Sequence, residues 1–189
     1  MSSGKKIGLI IGSAVVLLIV LCFATYNGLV TKQAEVESQW AKVDSKLQRR
    51  YDLVPNLVNS VKGSMEQEKE VFGNITDARS KMTGAGTVKE KAMASNEMES
   101  ALSRLMVVME NYPEIKSNEN VKTLMTQLEG TENRISVERD RYNDAVKKYN
   151  VSIKKFPKSI IAGITGFEEK EYFEADKEAE KVPEVNLSK

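Results

Sequence analysis

The side chains available for chemistry in this chain are carboxylates, hydroxyls and guanidinium groups, because it holds no histidine and a single cysteine, Cys22. Zinc centres of the Cys/His type, serine–histidine and cysteine–histidine nucleophiles, and the Glu-x-x-His di-iron sites of helical bundles are excluded. What is left is divalent-cation binding by carboxylates, for which Glu66, Glu68 and Glu70, or Glu97 and Glu99, are the nearest groupings. Residues two apart on a helix point to different faces, and no calcium loop of alternating Asp/Asn with a central Gly is present. Neither grouping converges on an ion, so no metal, cofactor or catalytic residue is expected. The run Thr83-Gly84-Ala85-Gly86-Thr87 has two glycines of a phosphate-cradling loop but lacks the preceding strand and the Lys-Ser/Thr pair. It reads as an interhelical turn.

A second polar grouping sits around Pro55, where Arg49, Arg50, Asp52, Asn56 and Asn59 interleave with apolar residues. A proline inside a helix removes one backbone donor and frees a carbonyl, and nearby polar side chains often satisfy such groups. The other reading is that the kink presents Arg49, Arg50, Asp52 and Asn56 to a protein partner.

The elements that position these residues are helices. Val36, Trp40, Val43, Leu47, Tyr51, Val54, Val58, Val61, Met65, Phe72 and Ile75 recur in steps of three and four, with Glu68 the polar exception, as one face of a helix does. That face predicts a long helix from about Thr31 to Lys81, kinked near Pro55 and continuous through Gly63 and Gly73. A second helix is expected from about Thr87 to Tyr112, ended by Pro113. Met93, Met98, Met106 and Met109 on it fill a core, with a flexible binding groove as the other reading. A third helix, capped by Ser117 or Asn118 and closed by Pro157, carries Leu124, Leu128, Ile135, Tyr142, Tyr149 and Ile153. Short loops between long helices make antiparallel neighbours. The segment 158–173 has apolar residues without a clean period, and is expected to fold back over one end or groove of the bundle.

Before all of this stands the uncharged run Ile7–Tyr26, preceded by Lys5 and Lys6. About 20 apolar residues cross roughly 30 Å of hydrocarbon as a helix. A cleaved signal peptide has a shorter apolar region and a small-residue cleavage site, and lipid attachment at Cys22 is disfavoured by the bulky Leu21 before it. The chain is therefore read as anchored by one uncleaved transmembrane helix. Gly8 and Gly12 form a small-xxx-small face within it, of the kind through which membrane helices pack into homo-oligomers. Lys5, Lys6 and the terminal amine lie before the run, whereas Lys32, Lys42 and Lys46 after it are diluted by Glu35 and Glu37. These flanks favour a cytoplasmic N-terminus and an extracytoplasmic bundle, and Arg49-Arg50 pulls the other way. Lys+Arg number 28 against Asp+Glu 27 over the whole chain. No single-sign field exists to gather nucleic acid.

The run Arg49-Arg50-Tyr51-Asp52-Leu53-Val54-Pro55-Asn56-Leu57-Val58, followed by Val61-Lys62-Gly63, resembles the signature of the LemA family. So does a second set: Arg141-Tyr142-Asn143, Tyr149-Asn150, Phe156-Pro157, Gly166-Phe167 and Tyr172-Phe173-Glu174-Ala175. Val54 stands where that signature usually has Ile, which keeps the apolar character. The resemblance implies a bacterial membrane protein with no established enzymatic activity, a short N-terminal tail, a membrane helix and an all-helical bundle. The expected organisation is all-α: a basic tail over 1–6, the transmembrane helix over 7–26, a bundle of three to four long antiparallel helices over 27–175, and a charged, disordered tail over 176–189. The expected function is a non-catalytic, single-pass scaffold or protein-interaction module in the bacterial cell envelope. The bilayer and an unknown protein are its partners; a transport-assembly accessory subunit is the alternative, and a carboxylate–metal enzyme the weakest one.

Overall fold

The structure, a computed structural model, describes residues 3–174; the charged tail expected over 176–189 lies outside them. Helix follows helix, and no strand occurs among the described residues. The order is α1 (Ser3–Lys62), α2 (Lys69–Gly84), α3 (Val88–Val108), α4 (Pro113–Ser117), α5 (Glu119–Lys154) and α6 (Lys158–Thr165).

Helix α1 carries both the apolar run and the residues of the first signature, and it continues through Pro55. It does not continue through Gly63, contrary to the expectation of one helix to Lys81. At Ser64, Met65 and Glu68 the chain tightens into turns in which each amide donates to the carbonyl three residues earlier. The apolar phase survives this break because Met65, fully buried, is carried back into the core by the turn itself. A hydrophobic period alone therefore could not show it. Loss of intrinsic propensity at Gly63 is the local cause.

The second helix also ends sooner than Pro113 would require. Helix α3 stops at Val108, a 3₁₀ turn over Met109–Asn111 follows, and Pro113 opens the one-turn α4. Proline suits that first helical position, where its missing N–H has no partner to lose. The start of α3 is fixed by a capping box: Thr87 Oγ1 accepts from Glu90 N, while the Glu90 carboxylate accepts from Thr87 N and Gly86 N. Asn118 caps α5, its Oδ1 accepting from Asn120 N and Val121 N.

The described residues cluster into two compact units, one of 3–40 with 141–170 and the other of 41–140 with 171–174. In the first, Leu29, Val36, Tyr142, Val146, Tyr149 and Ile153 are buried. The Trp40 and Tyr142 rings meet in a tilted pair with centroids 5.3 Å apart, a favourable aromatic geometry. In the second, Val54, Leu57, Val61, Met65, Ile75, Met98, Leu105, Met109, Ile115 and Leu128 belong to one apolar core. Helices α2 and α3, joined by a short turn, pack on each other as antiparallel neighbours within it. The four methionines divide: Met98 and Met109 are core, Met93 and Met106 are exposed.

Candidate functional site

The largest buried polar side chain of the second unit is Arg50. The buried residues of α1 run Val43, Leu47, Arg50, Val54, Leu57, Val61. The seam keeps Val43, Leu47, Val54 and Val61 of the expected face but takes Arg50 and Leu57 in place of Tyr51 and Val58, each one residue and so about 100° round the helix. A guanidinium occupies a core position. Its Nη1 donates to both oxygens of Glu132 at 3.1 and 2.9 Å, and its Nη2 donates to Ser95 O at 3.2 Å and Ser95 Oγ at 2.6 Å. One helix thus holds two others through a single side chain. Arg50 is 1% exposed and Glu132 34%, so one partner is dry and the other half-solvated. The Nε of Arg50 is buried without a hydrogen-bond partner, the one unpaired donor of the group.

Around this ion pair, Arg139 lies with its guanidinium 4.4 Å from the centroid of the Phe173 ring. Within about 6 Å, such a cation is attracted by the face of the ring. Burial draws the Arg139 pKa below its usual value, while Glu99 and Glu132 work against the shift. Phe173 is itself buried, and the carbonyl of the next residue, Glu174, accepts from Asn96 Nδ2 at 3.4 Å. The C-terminal segment is thus stapled onto this unit by a stacked cation and a side-chain amide.

In the first unit, Tyr149 and Asn150 hold another stretch of that segment. Asn150 Nδ2 donates to Lys170 O and Asn150 Oδ1 accepts from Lys170 N, both at 2.9 Å, so one amide side chain satisfies both backbone groups of one residue. Tyr149 Oη donates to Glu168 O at 3.0 Å, and burial raises its pKa. Tyr26 and Phe167 pack with ring centroids 5.8 Å apart.

The residues singled out around Pro55 separate in space. Arg49, Asp52, Asn56 and Asn59 are exposed, whereas Arg50 is sealed in the core and cannot be offered to a partner. Its desolvated charge is compensated there by Glu132. Asn56 Nδ2 donates to Asp52 O at 3.3 Å, and Gln48 Nε2 to Asp52 Oδ1 at 3.1 Å. These are local helix-surface bonds, and neither reaches the carbonyl of Tyr51 that Pro55 frees. Among the acidic groupings, Glu68 accepts from Tyr112 Oη and Glu97 from Lys81 Nζ. Among the described residues, no three acidic or cysteine side chains gather as an ion would require. Gly8 and Gly12 are exposed, with open space where a Cβ would stand.

Sequence reasoning missed Ser95, Glu132 and Arg139 as members of the cluster. A signal existed for Arg50, whose spacing of three from Leu47 and four from Val54 places it on the buried face. None existed for its partners, which lie 45 and 82 positions away.

A model of the LemA family matches residues 39–187. Two proteins of Paramagnetospirillum magneticum, magnetosome proteins MamQ 1 and MamQ 2, are each 31% identical over 187 residues, covering 85% of this chain and 69% of theirs. Magnetosome protein MamQ of Magnetospirillum gryphiswaldense is 30% identical over 174 residues, covering 78% of this chain and 64% of its own length.

Proposed function

This chain belongs to the LemA family, and from that premise we propose that it is a non-catalytic, single-pass membrane-anchored helical scaffold of the bacterial cell envelope. One observation carries the reading. The helix that is long and apolar enough to cross a bilayer is the same α1 that goes on to supply Leu29, Val36, Val43, Leu47, Val54, Leu57 and Val61 to the buried faces. Anchor and bundle are one element, as a tether requires. The polar clusters support a structural role, for Arg50, Asn150 and Tyr149 direct their polar atoms at partners within the chain. The relatives are named as magnetosome proteins.

The partner of such a scaffold is a protein. The exposed polar residues Arg49, Asp52 and Asn56, outward on the signature turn of α1, are the proposed contact, with Arg50 holding that turn in place from inside. Cross-linking in intact membranes, followed by gentle extraction, should recover one or a few partners in fixed proportion, and charge reversal at Arg49 and Asp52 should remove them. Recovery of the chain alone and monomeric would end this reading. The flank charges favour an extracytoplasmic bundle.

A second reading, an oligomeric accessory subunit, is favoured by the open face at Gly8 and Gly12. Gly12→Leu should then abolish cross-linking between copies.

A further inference from the structure

Helix α6 is apolar on the side the protein covers and on the side it does not. Ala162 is buried. Ile161 and Thr165 line an apolar notch of ≈ 300 Å³ together with Cys22, Phe23 and Tyr26 of α1. On the outward side, Ile160 and Ile164 stand one helical turn apart and are 53% and 78% exposed, and Phe156, in the turn that leads into the helix, is 81% exposed. An exposed apolar patch of this kind marks a contact with another protein or with a membrane. No described residue covers this stripe.

Its position along α1 identifies the cover. Cys22, Phe23 and Tyr26 form the last turn of the uncharged run, whose next residue is Asn27 and whose next charge is Lys32. At about 1.5 Å of rise per residue, the notch lies within roughly 6 Å of the end of the run. If the run fills the hydrocarbon, α6 sits where hydrocarbon gives way to headgroups. Lys155 and Lys158 flank the stripe, and Lys154 sits beside them paired with Glu169 at 2.7 Å. An apolar stripe bordered by lysines is the pattern of helices that lie in the membrane interface, and Tyr26, ring to ring with Phe167, is the kind of side chain found at that level.

We propose that α6 and Phe156 form a second, interfacial membrane contact: the stripe Phe156–Ile160–Ile164 is immersed at the headgroup–acyl boundary beside the transmembrane part of α1, with Lys155 and Lys158 against lipid phosphates. The occupant is the bilayer itself, because the stripe is continuous, through the notch, with a surface that already lies in lipid. This rests on the anchor reading above, so the test separates the two.

The full chain, with Cys22→Ala and one new cysteine carrying an environment-sensitive fluorophore, is placed in vesicles of phosphatidylcholine and phosphatidylglycerol, with and without lipids carrying spin-label quenchers near the headgroup and midway along the acyl chain. The new cysteine is Ile164→Cys, or Phe156→Cys as a second position on the same stripe, with Leu18→Cys reporting the span and Ser136→Cys reporting water. Blue-shifted emission, lost to quencher, is expected at 164 and 156 as at 18, with neither effect at 136. Quenching at 18 but water-like emission at 164 and 156 overturns the inference and leaves the anchor standing. Water-like emission at all four positions overturns both. A blue shift at 164 and 156 that lipid-borne quencher does not touch means protein covers the stripe, and the inference fails.

Discussion

At the scale of the residue, one ion pair organises the signature. The asymmetry of Arg50 and Glu132 sets how each responds to substitution. Glu132→Gln leaves a buried guanidinium without a counter-charge and is expected to cost about 3–5 kcal/mol, whereas adding Arg50→Met to it in the double substitution should recover most of that loss. Denaturant unfolding of the two singles and the double, read as a cycle, checks it; additive singles would mean the pair does not act as a unit. Glu90 makes a prediction about acid. Backbone N–H groups of Gly86 and Thr87, with the Thr87 side chain, hold its carboxyl below the usual 4.5. Its contribution is thus complete above pH 4.5 and is lost as pH falls through the lowered value. Glu90→Gln should lower Tm by a constant amount above that pH and by a shrinking amount below it. The capping box was legible in the spacing of Thr87 and Glu90, three apart before an apolar run. The Arg50 pairing was not, since a hydrogen bond across 82 positions leaves no mark on local pattern.

At the scale of the element, helix ends rest on a few local devices. Gly166 closes α6 with φ 76°, and the amides of Gly166 and Phe167 both donate to Ala162 O. A side chain there would be held in the left-handed region at a cost of about 1 kcal/mol or more. Gly163, inside the same helix with open space around it, has the opposite bias, since Ala is favoured over Gly in a helix by about 1 kcal/mol. Gly166→Ala should lower Tm and Gly163→Ala leave it equal or higher; two shifts of the same sign would remove the assignment of Gly166 as the cap. The existence and type of the long helices could be read from apolar spacing alone. Their ends could not, wherever a turn kept the spacing intact: Met65 lies in phase with α1 whether or not the helix continues. Pro113 misled for a related reason, because proline marks a boundary without saying on which side the helix stands.

At the scale of the whole molecule, membership of the LemA family and an all-helical fold with an apolar N-terminal helix could both be anticipated from residue order, whereas the grouping into units could not. Each unit joins segments far apart in sequence, and the pattern within a helix does not name its neighbour. Trp40, the single tryptophan, reports on this, because its ring partner Tyr142 comes from the far end of the chain. Tyr142→Ala is expected to shift Trp40 emission to the red; an unshifted spectrum would show that Tyr142 does not shield it. The same layout sets an order in time. Residues 3–40 leave the ribosome first, but 141–170, which complete their unit, follow only after 41–140, a delay of roughly 5–20 s at ordinary rates of synthesis. During that interval Trp40 lacks its ring partner Tyr142, and Leu29 and Val36 lack the buried Val146, Tyr149 and Ile153 of their own unit.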